Sequence, residues 1–134
     1  MKAEIIATGT ELLLGQITNT NARFLSEKLA EKGIDVYWHT VVGDNPSRVE
    51  EALRTALSRA DLILTSGGLG PTMDDLTKET LAEVLGLPLE LHTGWQQQME
   101  KMFSRPGHKM TSNNLKQAMV PKGGKLIPNN FGTA

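Results

Sequence analysis

Short apolar runs alternate with longer stretches of helical spacing along this chain, and glycine, proline or asparagine marks most of the changes. Ala3–Ala7 reads as a buried strand halted at Thr8-Gly9-Thr10. Asn21–Lys32 carries Ala22, Leu25, Leu29 and Ala30 at helical spacing, and Gly33 supplies the stop. Ile34–Val42, with Val36, Trp38, Val41 and Val42, predicts a second strand. Asn45-Pro46 then opens a helix in the favoured way, Asn as N-cap and Pro at the first helical position, with Val49, Leu53, Ala56 and Leu57 as its apolar stripe. Asp61–Ser66 predicts a third strand, followed by Gly67-Gly68-Leu69-Gly70-Pro71 and a helix that shows Leu81, Val84 and Leu85 before Gly86. Strand and helix alternating at this spacing mean βαβ units, and hence an α/β domain with a mostly parallel sheet. Farther on, Thr93–Phe103 predicts a helix with a Thr93/Gln96 capping pair and a Trp95, Met99, Met102, Phe103 stripe. Ser104–Lys109 reads as a basic loop, Ser112–Met119 as a short helix and Lys125–Ile127 as a last strand.

Composition narrows the picture. At 134 residues the chain suits one domain, and 14 basic side chains against 15 acidic ones leave no field to recruit nucleic acid or an anionic membrane. The basic residues form no arm or stripe, so no nucleic-acid partner is expected. The absence of cysteine excludes disulfides, thiolate catalysis and Cys-ligated metal. The apolar run after Met1-Lys2 is far too short for a signal h-region or a membrane span, so a cytoplasmic protein is expected.

In an open parallel sheet, ligands bind beyond the carboxyl ends of the strands. The loops there are Thr8-Gly9-Thr10-Glu11, Gly43-Asp44-Asn45 and Ser66 to Asp75, which combine small residues, hydroxyls and four carboxylates. Gly67, Gly68 and Gly70 could present backbone N–H groups to a phosphate, although a plain tight turn would use the same residues. The run matches neither a dinucleotide fingerprint nor a P-loop. Thr72 and Asp75 are spaced as a capping box, but a helix starting at Thr77 would leave Asp74 and Asp75 in the loop, and the length of the loop favours that start. Carboxylates beside a phosphate need a cation between them, which suggests Mg²⁺ or a similar hard metal. Asp44 could instead cap its helix, though Asn45 is better placed, and Glu11 could pair with a surface base. His39, His92 and His108 have no metal-ligand spacing, and each reads as a surface or core histidine.

Taken together, Thr8-Gly9-Thr10-Glu11-Leu12-Leu13-Leu14-Gly15, Asn19-Thr20-Asn21, Val42-Gly43-Asp44-Asn45 and the stretch from Thr65 to Thr77 resemble the molybdopterin-binding-like domain that opens CinA, the competence/damage-inducible protein. Asn114 to Ala118, Pro121 and Asn130-Phe131-Gly132-Thr133-Ala134 look like the same family. The resemblance covers the whole chain in order, and its wider superfamily includes MogA, MoaB and the MoeA central domain. It implies a three-layer α/β/α sandwich. It implies further that Asp44 and Asp75 serve metal and nucleotide chemistry, that Gly67, Gly68 and Gly70 bind phosphate, and that Glu11 is the family's acid. The expected nucleotide-binding set is therefore Thr8, Gly9, Glu11, Ser66, Gly67, Gly68, Gly70 and Lys116, with Asp44, Asp74 and Asp75 on the metal. For the CinA branch the resemblance implies metal-dependent hydrolysis of ADP-ribose to AMP and ribose 5-phosphate. The family's pattern continues past Gly132-Thr133-Ala134, so a single domain cut short at its carboxyl end, without the amidase domain that deamidates nicotinamide mononucleotide, is expected. A homo-oligomer is expected as well. Two other functions fit the same residues: molybdopterin adenylyl transfer, and a non-catalytic nucleotide-binding or oligomerisation module of a longer nicotinamide mononucleotide deamidase.

Overall fold

The structure, a computed structural model, describes residues 1–104, 106–107 and 109–133. The chain forms two compact units, Met1–Gly68 and Leu69–Ala134.

The first unit is a three-stranded parallel sheet in the order β2-β1-β3, built from β1 (Lys2–Thr8), β2 (Asp35–Val42) and β3 (Leu62–Ser66). Successive side chains of β1 point to opposite faces, and each face meets a helix. Ala3 and Ile5 pack with Ala22 and Leu29 of α2 (Thr20–Ala30), while Glu4 on the other face bonds Arg59 of α3 (Pro46–Arg59). The predicted α/β/α layering is therefore present. Ile5, Ile6 and Leu53 are wholly buried, and each contributes about 1.5–3 kcal/mol of burial free energy. The capping signal holds for α3, where Asn45 accepts from the Arg48 N–H (3.2 Å) and Pro46 takes the first position. A four-residue helix, α1 (Thr10–Leu13), follows β1 where a plain loop was expected.

The second unit contains α4 (Thr77–Leu85), β4 (Leu89–Leu91), α5 (Thr93–Phe103), α6 (Ser112–Leu115), a 3-10 turn at Lys116–Ala118 and β5 (Met119–Pro121). Gly86 ends α4 at φ 65, a left-handed stop that favours glycine. Three expectations need correcting here. Lys125–Ile127 is not a strand; the strand is Met119–Pro121, which pairs antiparallel with Leu89–Leu91. The predicted Ser112–Met119 helix breaks into α6 and the tighter turn because Met119 already belongs to β5. The cap of α5 is His92, whose Nδ1 accepts from the Trp95 N–H (3.0 Å), while Gln96 reaches forward to Glu100 instead of closing a box with Thr93. Arg105 and His108 of the predicted basic loop lie outside the described residues, as does Ala134. Among the described residues no helix is long and apolar enough to cross a membrane.

Candidate functional site

In the first unit the residues named from sequence gather where the strands end. Gly9 follows β1, and its N–H reaches the Val42 carbonyl (2.9 Å). Thr10 and Asp44 then bond reciprocally: the Thr10 N–H donates to Asp44 Oδ2 (3.0 Å), and the Asp44 N–H donates to Thr10 Oγ1 (3.1 Å). The Asp44 carboxylate is thus fixed to the turn after β1, and Asn45 caps α3 in its place. Glu11 folds back over Gly9, where an added Cβ would collide with Glu11 Oε1. Gly67 has φ +86, and a Cβ there would collide with the Thr8 carbonyl oxygen. The Thr8 backbone cannot yield without disturbing β1, so Gly67→Ala is expected to lower stability by about 1–3 kcal/mol. A urea midpoint equal to that of the native chain would refute this account of the turn.

These loops enclose a cavity of about 120 Å³ at the amino end of α2, lined chiefly by Thr8, Glu11, Leu12, Ile17, Asn19–Asn21, Ser66 and Gly67. Asn19 caps α2 by accepting from the Ala22 N–H (3.1 Å), and Asn21 Nδ2 donates to Ser66 Oγ (3.0 Å). Thr8 is 5% exposed, and among the described residues its Oγ1 is the one buried side-chain polar atom with no hydrogen-bond partner. A buried hydroxyl left unpaired is costly and marks a place where a ligand or water completes the bonding. Asn19 and Asn21 were not among the predicted site residues. The signal for them was the polar triplet Asn19-Thr20-Asn21 opening a helix just as Asn45 opens α3. A larger groove of about 390 Å³ opens on the α3 face, with Glu4, Thr40, Arg48, Glu51 and Arg59 among its lining residues. Both oxygens of Glu4, the buried acid there, are already taken up by Arg59 and Thr40.

In the second unit, the loop from Leu69 to Leu76 is organised around Asp75. Its Oδ2 accepts from the Thr72 N–H (2.9 Å) and the Thr72 hydroxyl (2.6 Å). A Cβ on Gly70 would lie 2.5 Å from that same oxygen, so glycine is needed for the carboxylate to approach the Gly70 backbone. Burial raises the Asp75 pKa, but the Thr72 hydroxyl, the Thr72 and Gly70 N–H groups and the Lys116 charge together bring it below the ordinary value. The helix starts at Thr77, after the two aspartates, as the preferred reading expected, although its N-cap is Leu76 rather than Thr77. Asp75 does reach back to Thr72, which is half of the competing capping-box contact, but no helix starts at Thr72. Lys116 Nζ donates to the Thr72 carbonyl (2.8 Å) and to the Asp75 carbonyl, and lies 3.9 Å from Glu79. Lys78 Nζ in turn donates to the Lys116 carbonyl (2.5 Å). Burial lowers the Lys78 pKa, with the nearby Lys116 charge acting in the same direction against Glu79. Lys116 therefore clamps the loop that carries Asp75 and Lys78 holds the Lys116 backbone, while Asp74 is exposed.

No group of three or more His, Asp or Glu side chains among the described residues is gathered closely enough to hold a metal ion. Mg²⁺ is commonly bound by one or two carboxylates completed by substrate phosphate oxygens. In the second unit Asp75, whose pKa is lowered, is a hard oxygen donor of the kind such an ion takes; in the first unit, taken by itself, Asp44 is another, pinned by its Oδ2.

Residues 4–128 match the family described as a probable molybdopterin binding domain. Competence-damage inducible proteins of Geobacillus sp. (strain WCH70) and Thermoanaerobacter sp. (strain X514) are 58% and 57% identical over 134 residues. Each match takes in all of this chain and 32% of the relative, so the chain spans about a third of the length of these relatives. The crystal structure of CinA from Thermoplasma acidophilum, a protein of unknown function, superposes with TM-score 0.90 at 36% identity, covering 99% of this chain and 78% of that one. The molybdopterin biosynthesis enzyme MoaB from Thermus thermophilus shares the fold, with TM-score 0.59 at 24% identity over 90% of this chain and 78% of its own.

Proposed function

We propose that this chain, which belongs to the family described as a probable molybdopterin binding domain, hydrolyses the diphosphate bond of ADP-ribose with the help of a divalent metal, releasing AMP and ribose 5-phosphate. The observation that carries the reading is Asp75: an ionised carboxylate held in a loop by Thr72 and Gly70 rather than spent on starting a helix. A structural capping residue would have no need of the Lys116 clamp behind it.

In the reaction a water oxygen bonds to one phosphorus and the bridging P–O bond breaks. The bridging oxygen stays on the other phosphate, and the protons of the water pass to the leaving phosphate and solvent. Asp75, with Asp74 beside it in the same loop, is the residue of the second unit that would hold the ion together with the substrate's phosphate oxygens; Asp44 is the corresponding carboxylate of the first unit, taken by itself. When bound, such an ion polarises a phosphoryl oxygen and lowers the pKa of water. Asp44 is kept in place by Thr10, and Lys116 keeps the Asp75 loop from relaxing. Molybdopterin adenylyl transfer is the second reading, supported by the family description. Incubating the chain with Mg²⁺ and either ADP-ribose or molybdopterin plus ATP separates the two. AMP and ribose 5-phosphate in equal amounts from ADP-ribose are the expected products. Adenylation of molybdopterin with release of pyrophosphate, and no turnover of ADP-ribose, would transfer the chain to the second reading.

A further inference from the structure

The cavity at the amino end of α2 has a lining that a phosphate does not suit. None of its lining residues is basic, and Glu11 contributes a carboxylate. The amino end of α2 supplies the equivalent of about half a positive charge. That is less than the full negative charge of Glu11, so a phosphate dianion placed here would meet net repulsion. The cavity is also small: about 120 Å³ falls well short of the roughly 300–1,000 Å³ of pockets that bury a whole drug-sized ligand, and suits a single ring.

What the lining does suit is a group that both donates and accepts hydrogen bonds. Thr8 Oγ1 is buried without a partner, and Ser66 Oγ accepts from Asn21 Nδ2, which leaves the serine proton to be donated elsewhere. Glu11 can only accept. A hydroxyl answers all three, whereas a phosphate oxygen answers only the donors. Leu12 and Ile17 form an apolar wall for the carbon side of a ring. We infer that this cavity is a sugar subsite, taking the hydroxyl-bearing ring of a ribose phosphate, with Glu11 accepting from a ring hydroxyl and Thr8 and Ser66 bonding its neighbours. That the sugar is ribose rests on the proposed ADP-ribose reading; that the subsite takes a hydroxylated ring rests on the cavity itself.

The test is calorimetric titration of the chain with ribose 5-phosphate, 2-deoxyribose 5-phosphate and inorganic phosphate. Ribose 5-phosphate is expected to bind about tenfold more tightly than its deoxy analogue, the difference made by one hydroxyl to a charged acceptor. Thr8→Val should weaken ribose 5-phosphate about tenfold while leaving the melting temperature unchanged or raised, because it removes an unpaired buried hydroxyl. A merely structural Thr8 would lower both. Glu11→Gln should reduce the ribose-over-deoxyribose preference. The inference is overturned if ribose 5-phosphate does not bind, if both sugars bind equally, or if inorganic phosphate binds and is weakened by Thr8→Val to the same extent. If these dependences appear but ADP-ribose is not hydrolysed, the subsite stands and the proposed function falls. If ADP-ribose is hydrolysed with unchanged KM by both variants, the function stands and the subsite falls.

Discussion

Arg59→Met is expected to destabilise the first unit by about 3 kcal/mol, the lower end of the range for breaking a buried ion pair by removing one partner. Glu4 is wholly buried in β1, while the Arg59 side chain keeps 34% exposure, which is why the lower end applies. The pairing is bidentate, with Nε to Oε2 at 2.8 Å and Nη2 to Oε1 at 2.7 Å, and the Thr40 hydroxyl adds a third bond at 2.6 Å. Arg59 also lies over the Trp38 ring at 4.6 Å, so its loss removes packing together with charge. Replacing both partners, Glu4→Met with Arg59→Met, should recover most of the loss, since an apolar pair leaves no buried charge.

The pH dependence has a definite sign. Hydrogen bonding from Arg59 holds the Glu4 carboxyl below its ordinary value against the opposing effect of burial, with Thr40 assisting. A carboxyl lowered on folding contributes stability above its unfolded pKa, about 4.3, and loses that stability as pH falls through the folded value. Without Arg59, burial acts unopposed by that partner and raises the folded pKa, so acidification favours the variant. The gap in urea midpoint between native chain and variant should therefore narrow between pH 7 and pH 4. A gap that is constant over that range would mean the pair is not what stabilises β1.

This pair also shows where the sequence stopped being legible. A lone glutamate inside the apolar run Ala3–Ala7 was a sign that some partner must exist, yet nothing local points to a residue 55 positions away. The register shift between Ala3 and Glu4, which pairs Glu4 with Trp38, is likewise set by the sheet and not by periodicity. The three parallel strands and their helices were readable because each has a run long enough to show a pattern and a cap or glycine at its edge. Met119–Pro121 has three residues, one of them proline, and becomes a strand only because Leu89–Leu91 pairs with it. Of the candidate site, the glycines and acids of the loops were legible, but their geometry was not. Gly70 makes room for the Asp75 carboxylate, and Lys116 spends its ammonium on loop carbonyls, relations that run across up to 44 residues.

Asp75→Asn is expected to reduce metal-dependent ADP-ribose turnover by about 100-fold or more, the usual scale for losing one preorganised charged group at a reacting phosphate. The asparagine keeps one acceptor oxygen, so the Thr72 bonds survive in part and the stability cost should stay near ~1 kcal/mol. The charge does not survive, and charge is what a hard cation requires of this position. The loss should therefore appear mainly in kcat, and as a rise in the Mg²⁺ concentration needed for half-maximal rate. Because the native Asp75 pKa is lowered by Thr72, Gly70 and Lys116 despite its burial, the native rate should stay level as pH falls toward the ordinary aspartate value and decline only below it. Lys116→Ala removes one of those influences and loosens the loop, so its rate should begin to decline at a higher pH than the native rate. An Asp75→Asn chain with native kcat and native Mg²⁺ dependence would reduce Asp75 to a loop fastener, and the proposed hydrolysis would lose the observation on which it stands.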